Sequence, residues 1–314
     1  MSTDDGVVLA TVIRSGVVEN IHRGTAVILD ADGRVARAWG DPTRVVLPRS
    51  SSKIGQATAL VELGFDGPDE FIAMAAASHS GSPQHLAWVD RILEAYEIDP
   101  GMLQTPADYP LGEEERRAWL MAGNDPARRA MNCSGKHAAM LATGVVHGWP
   151  LVHYLDPDHP VQRHIAHAIA QRAEESIAVT AVDGCGAPLL GLRLQGLARM
   201  AQVIAQAPAE TPDARVAQAM RTFPELVGGH DRDVTIFMRQ LPGLLAKDGA
   251  DGVYVGVDPS GAAFAMKLDD GANRPRNAVV AGLLAQMGWS VELPEHHLAV
   301  LGGGRPVGRI DVRL

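Results

Sequence analysis

Leu47-Pro48-Arg49-Ser50-Ser51-Ser52-Lys53 joins an extended opening to the first helical pattern and sets a lysine three residues after a serine. From Lys53 to Leu63 the helix formers Gln56, Ala57, Ala59, Leu60 and Glu62 run to a stop at Gly64, so Ser50 to Lys53 spans a loop-to-helix junction. Residues three apart at a helix start share one face, within hydrogen-bonding reach. A neutral lysine amine there can take the proton of a serine hydroxyl, which is a weak nucleophile alone. The same spacing also fits an N-capping serine cluster beside a solvated lysine. The chain keeps four lysines, Lys53, Lys136, Lys247 and Lys267, among 28 Lys and Arg. Arginine holds its proton at any accessible pH, whereas burial or a second cation can make lysine neutral, so the lysines mark candidate sites. Lys53, Lys136 and Lys267 lie in motifs and are the candidates.

Before this stretch, Val7 to Arg14 is apolar and β-branched, and Thr25 to Asp30 and Val35 to Trp39 flank the hairpin dipeptide Asp32-Gly33. After it, helices are expected over Pro68 to Ala77, Pro83 to Tyr96, Glu113 to Ala122, Gly135 to Val146, Pro160 to Ala173 and Pro188 to Ala207. Val253 to Val257 and Ala262 to Leu268 then flank the turn Asp258-Pro259-Ser260-Gly261; Arg274 to Met287 reads as a helix and Ile310 to Leu314 as a last short strand. Strands at both termini with helices between predict one antiparallel sheet closed by the two ends, with a helical part over roughly 68–240 inserted and a further helix packed on the sheet. The fold class expected is therefore α/β of the α+β kind, in a single domain over 1–314. That arrangement brings the amino end of the first helix toward Lys267.

With 314 residues, 46% apolar and 21% charged, the chain can bury a full core. Its net charge of -9 and lack of a basic cluster argue against nucleic acid as a partner. No apolar run reaches the roughly 20 residues of a membrane span. Met1-Ser2-Thr3-Asp4-Asp5 has neither the basic start nor the apolar run of a secretory signal, so the cytoplasm is the expected compartment. Two cysteines, Cys133 and Cys185, make no disulfide framework.

Four further motifs carry candidate chemistry. Ala77-Ser78-His79-Ser80-Gly81 is a small polar turn between helices, where Ser78 can relay a proton or merely cap a helix. Asn132-Cys133-Ser134-Gly135-Lys136-His137 and Asp183-Gly184-Cys185-Gly186 offer thiols, an amine and an imidazole, although the closely spaced cysteine pairs of common zinc sites are absent. Met266-Lys267-Leu268-Asp269-Asp270-Gly271 ends a strand, and Val227-Gly228-Gly229-His230-Asp231-Arg232-Asp233 is a charged glycine turn suited to a substrate carboxylate or a helix cap.

Taken in order, Arg49-Ser50-Ser51-Ser52-Lys53, Ser78-His79-Ser80, Cys133-Ser134-Gly135-Lys136-His137, Asp183-Gly184-Cys185-Gly186 and Lys267 with Asp270-Gly271 resemble the signature set of the asparaginase II family, the rhizobial-type L-asparaginases. That family is similar in fold to serine β-lactamases, penicillin-binding proteins and serine-dependent glutaminases. The resemblance implies hydrolysis of L-asparagine to L-aspartate and ammonia through an acyl-enzyme, in a homodimer. It implies Ser50 and Lys53 as one catalytic tandem and Ser78 with Lys267 as the second. It implies zinc on Cys133, Lys136 and Cys185, and substrate contacts from Arg49, Ser80, His137 and Asp183, the last holding the α-ammonium group. The chain departs from the family pattern at Ile54, at Ser82 and at His230-Asp231, which stand where proline, an acidic residue and Glu-Gly are usual. Other amide or lactam substrates, and binding of an amino acid without turnover, are the alternatives.

Overall fold

The computed structural model describes residues 6–314; the opening Met1 to Asp5, on which the reading of the amino terminus rests, lies outside the described residues. The chain runs β1 (Val7–Arg14), β2 (Val17–Leu29), β3 (Val35–Trp39), β4 (Val45–Val46), a 3-10 turn at Arg49–Ser52, α1 (Lys53–Glu62), α2 (Asp69–Ala75), α3 (Pro83–Ala95), α4 (Glu113–Met121), α5 (Ser134–His147) and α6 (Pro160–Ala173). It continues through β5 (Val179–Val182), β6 (Pro188–Arg193), α7 (Leu194–Ala205), α8 (Pro212–Thr222), α9 (Pro224–Val227), α10 (Asp233–Gln240), β7 (Leu245–Asp248), β8 (Val253–Val257), β9 (Ala263–Leu268), α11 (Arg276–Gln286), α12 (Glu295–Leu298), β10 (Val300–Gly302) and β11 (Arg305–Val312).

The mixed α/β architecture and the joining of the two ends are as the pattern of strands and helices predicts. The main sheet is antiparallel in the order β10-β11-β1-β2-β9-β8-β7, with β3 also on β2. Ala10 faces Val312 across β1 and β11, and Gly24 faces Leu268 across β2 and β9. Helix α7 packs on β2, β8 and β9, and α11 packs on β1, β8, β9 and β11. Two layers of helix over one sheet bury the apolar strands β7, β8 and β9 almost entirely.

Helix α1 is buried along its length from Lys53 to Leu60 and packs against α2, α5, α6, α7 and α8. A helix buried on every side belongs to the core, even with Lys53, Gln56 and Thr58 on it. Gly55, Ala57 and Ala59 let its neighbours approach; a Cβ on Gly55 would stand 2.7 Å from Met200 Sδ. The core thus grips α1 and presents its amino end at the surface of the sheet's β7 edge, where the 3-10 turn touches β7 and β8.

Two expectations are corrected. Pro188 to Arg193 is the strand β6, not the start of a helix, because the Asp183-Gly184-Cys185-Gly186 turn folds it back on β5. The amino end of α1 leans on β7 and β8, and Lys267 borders a depression with Arg49 of the preceding turn but not with Ser50 or Lys53, because β8 separates β9 from β7.

Candidate active site

The 47–53 stretch builds the site in a strained turn. Arg49 has φ of 51°, a left-handed conformation that costs a non-glycine residue on the order of 1–3 kcal/mol. Two ion pairs hold it there, Nε to Asp183 Oδ1 at 2.7 Å and a guanidinium contact to Asp251. The three serines that follow divide their roles. Ser51 Oγ donates to Pro48 O at 2.6 Å and Ser52 Oγ to Arg49 O at 2.9 Å, so both are spent on the turn. Ser50 is left half-buried with its side of the turn facing a cleft.

That cleft has a volume of about 710 Å³. Ser50, Ser78 and Ser80 line it together with Asn132, the acidic run Glu113 to Glu115, His230, Asp231, Arg232, Asp248 and Arg276. Behind it Lys53, 1% exposed, directs Nζ to Ala77 O at 2.5 Å, Ser78 Oγ at 3.1 Å and Cys133 Sγ at 3.1 Å. The structure therefore joins Lys53 to the second serine motif and to the thiol cluster at once. Ser80 Oγ donates to Glu115 Oε1 at 2.8 Å. His79, beside them, is kept neutral: burial drives its pKa well below the usual imidazole value, and His85, Lys53 and Arg232 add to the effect.

Lys247, the lysine that no motif marked, is wholly buried at the end of β7. Its ammonium donates to Asp248 O at 2.9 Å and pairs with the Asp248 carboxylate. Burial pushes its pKa down to about 8 against the pull of Asp248, and the nearby charge of Lys53 pushes the same way. For Asp248 burial works upward but is outweighed by Lys247, Arg232 and Arg276, so it stays ionised. Arg232 caps this group by reaching both Asp248 and Ser78 O. The signal for Lys247 was its rarity among 28 basic residues, masked because Leu245-Ala246-Lys247-Asp248 does not read as a strand.

Lys267 stands elsewhere. It is half-buried, donates to Leu268 O, and lines a separate depression of about 350 Å³ with Arg44, Arg49 and Asp251. Asp183 also lies outside the cleft lining, paired with Arg49.

The thiol motifs converge at the amino end of α5. Cys133 caps the helix, Lys136 and His137 lie in its first turn, and Cys185 comes from the β5–β6 turn. Lys136 Nζ is 3.3 Å from Cys185 Sγ, and Asp183 Oδ2 is 3.7 Å from the same sulfur. His137 Nδ1 meets Tyr154 OH at 2.7 Å, and its buried Nε2 has no hydrogen-bond partner among the described residues. The neighbouring Cys133, Lys136 and His137 outweigh burial and hold Cys185 far below the thiol range. Burial disfavours the Lys136 charge, but Cys185 and Cys133 more than restore it. The two sulfurs and the Lys136 amine are donors of the S and N type that suit zinc.

Comparison with curated proteins gives no match. Among solved structures the chain is similar to a β-lactamase from Mycobacterium bovis at 14% identity and TM-score 0.43, over 84% of this chain and 94% of that one. A simvastatin synthase variant from Aspergillus terreus gives 13% identity and TM-score 0.44 over 84% and 90%. A Bacillus glutaminase gives 12% and 0.39 over 86% and 92%. A family model described as L-asparaginase II matches residues 10–312, nearly the whole chain, and on that match the chain belongs to this family of amide hydrolases.

Proposed function

We propose that the chain hydrolyses the side-chain amide of L-asparagine to L-aspartate and ammonia through an acyl-enzyme on Ser50. The observation that carries the reading is Lys53 Nζ, buried beneath the cleft and 3.1 Å from Ser78 Oγ, one helical turn after Ser50 in the same cleft. Ser50 Oγ adds to the amide carbon and its proton passes to Lys53. Ser78 Oγ, held by Lys53, then hands a proton to the leaving nitrogen, the C–N bond breaks, and ammonia departs. Water repeats the sequence on the ester and returns the proton to Ser50.

Lys247 takes the second-lysine place that the resemblance gives to Lys267, because it shares its surroundings with Lys53 and Arg232. Arg232 and Arg276 supply positive charge for the α-carboxylate, and the acidic wall Glu113 to Glu115 faces the α-ammonium group. Arg49 and Asp183 position the turn, and Ser80 holds Glu115 in the wall. Cys133, Lys136 and Cys185 would hold zinc. Bound there, zinc supplies a fixed positive charge. Lys53 would link that cluster to the serines through its contact with Cys133.

Two buried free cysteines suit a reducing compartment, which supports a cytoplasmic enzyme; no helix of the described residues is long and apolar enough to cross a membrane. Exposed Val17, Val18 and Ile21 on β2 offer an apolar surface for the homodimer. The test is ammonia release from L-asparagine and L-glutamine by the purified chain and by Ser50→Ala. Release from asparagine that falls at least about 10³-fold in the variant is the expected result. No release, or full activity in Ser50→Ala, overturns the reading.

A further inference from the structure

The glycine turn before Arg232 contributes a carboxylate to a second cluster of metal-ligating groups. Asp231, His296 and His297 bring one ligand atom each to within 4.8 Å of one another. Asp231 lines the cleft from the α9–α10 loop, and the two histidines are neighbours in α12. His296 Nε2 lies 3.0 Å from Asp231 Oδ2, and His297 Nε2 lies 3.5 Å from Asp231 Oδ1. Donors about 2.0 Å from a tetrahedral ion stand roughly 3.3 Å apart, between these two distances. Adjacent helical residues normally diverge by about 100°. These two rings instead lie 4.5 Å apart and converge on one carboxylate.

The surroundings of His297 support ligation. Its side chain is 11% exposed, and among the described residues neither its Nε2 nor the buried Asn277 Oδ1 has a hydrogen-bond partner. Asn277 Nδ2 stands 3.2 Å from His297 Nδ1. A half-turn of the Asn277 amide puts Oδ1 in that place, where it accepts from Nδ1–H. The tautomer so selected leaves a lone pair on Nε2 facing Asp231. That is the arrangement of a metal-binding histidine whose other ring nitrogen is oriented by an oxygen acceptor. One rotation thus satisfies the orphaned oxygen and makes the orphaned nitrogen a ligand.

We propose that Asp231, His296 and His297 form a second divalent-metal site, separate from the thiol cluster and selective for a transition ion. Two imidazoles and one carboxylate favour zinc, nickel or cobalt over magnesium or calcium. The ion ties the loop that carries Arg232 to α12, so its occupancy acts on the wall of the cleft. Gly228 and Gly229 lie in the tied loop, and Gly229 has φ of 140°.

The test is calorimetric titration of Ni²⁺ into the whole protein, with His296→Ala, Asp231→Asn, Asn277→Ala and a Cys133→Ser/Cys185→Ser double variant. His296 and Asp231 are exposed, so their variants fold, which the thermal midpoint checks. The wild type is expected to bind one equivalent that the cysteine double variant keeps. His296→Ala and Asp231→Asn lose it, and Asn277→Ala weakens it about 10–100-fold. Equal binding by the wild type and His296→Ala, or loss of that equivalent in the cysteine variant, overturns the proposal. The readout needs no turnover, so failure of the asparaginase reading leaves it standing.

Discussion

Replacing Lys247 by methionine separates two consequences of its burial. In the folded protein its pKa is about 8, against 10.5 for a free lysine. The folded state therefore binds fewer protons than the unfolded chain between pH 8 and 10.5, and stability rises with pH across that window. Below pH 8 the buried charge costs its full penalty. At 1.36 kcal/mol per unit, the difference comes to about 3 kcal/mol. Methionine fills nearly the same volume without a charge, so the variant lacks this component. Asp248 keeps Arg232 and Arg276 and remains ionised, adding no pH dependence in the alkaline range. Urea unfolding from pH 7.5 to 11 should show the stability of the wild type rising by about 3 kcal/mol relative to Lys247→Met. On the proposed mechanism the same variant loses about 10²–10⁴-fold in kcat for ammonia release. A difference in stability that does not vary with pH would refute the electrostatic reasoning, and unchanged kcat would remove Lys247 from the proton path.

Lys267→Met should retain kcat within a few-fold, since its depression lies apart from the cleft; a loss beyond about 10²-fold would return the second-lysine role to it. Cys185→Ala should lose bound zinc by elemental analysis, because both the thiolate and its hold on Lys136 go; retention of a full equivalent would count against the thiol cluster as the ligand set. In Gly249→Ala the added methyl would stand 2.8 Å from Pro48 O and 3.3 Å from Ser51 N. It should cost about 1–3 kcal/mol in denaturant unfolding and depress kcat by pushing the serine turn, whereas a wild-type midpoint would show that the turn can yield.

Strands rich in β-branched residues, such as Val7–Arg14 and Val253–Val257, and helices opened by proline, such as Pro160–Ala173, were legible because their signals are local. Leu245–Asp248 was not, because half its residues are charged and its burial depends on β8, α10 and the serine turn packing against it. With that strand unread, Lys247 was given no role, and the second-lysine role went to Lys267 through the family resemblance. The Pro188–Arg193 strand was hidden for the opposite reason: an apolar run with leucines fits a helix equally well until the preceding turn pairs it with Val179–Val182. Ser50 could be singled out by spacing, but the reason it differs from Ser51 and Ser52 is a pair of hydroxyl-to-carbonyl bonds that only the folded turn displays. Likewise no motif joins Asp231 to residues 65 positions later in the chain.

The closing of the sheet by both ends of the chain also sets an order of events during synthesis. Ser50, Lys53 and Ser78 leave the ribosome early, but β2 cannot pair with β9, nor the serine turn lean on β7, until residues 245–268 have followed. A nascent chain stalled before that point carries its serines without Lys247 and with one edge of β2 bare. On the proposed mechanism hydrolytic competence therefore waits for these residues, and shorter products of translation lack it.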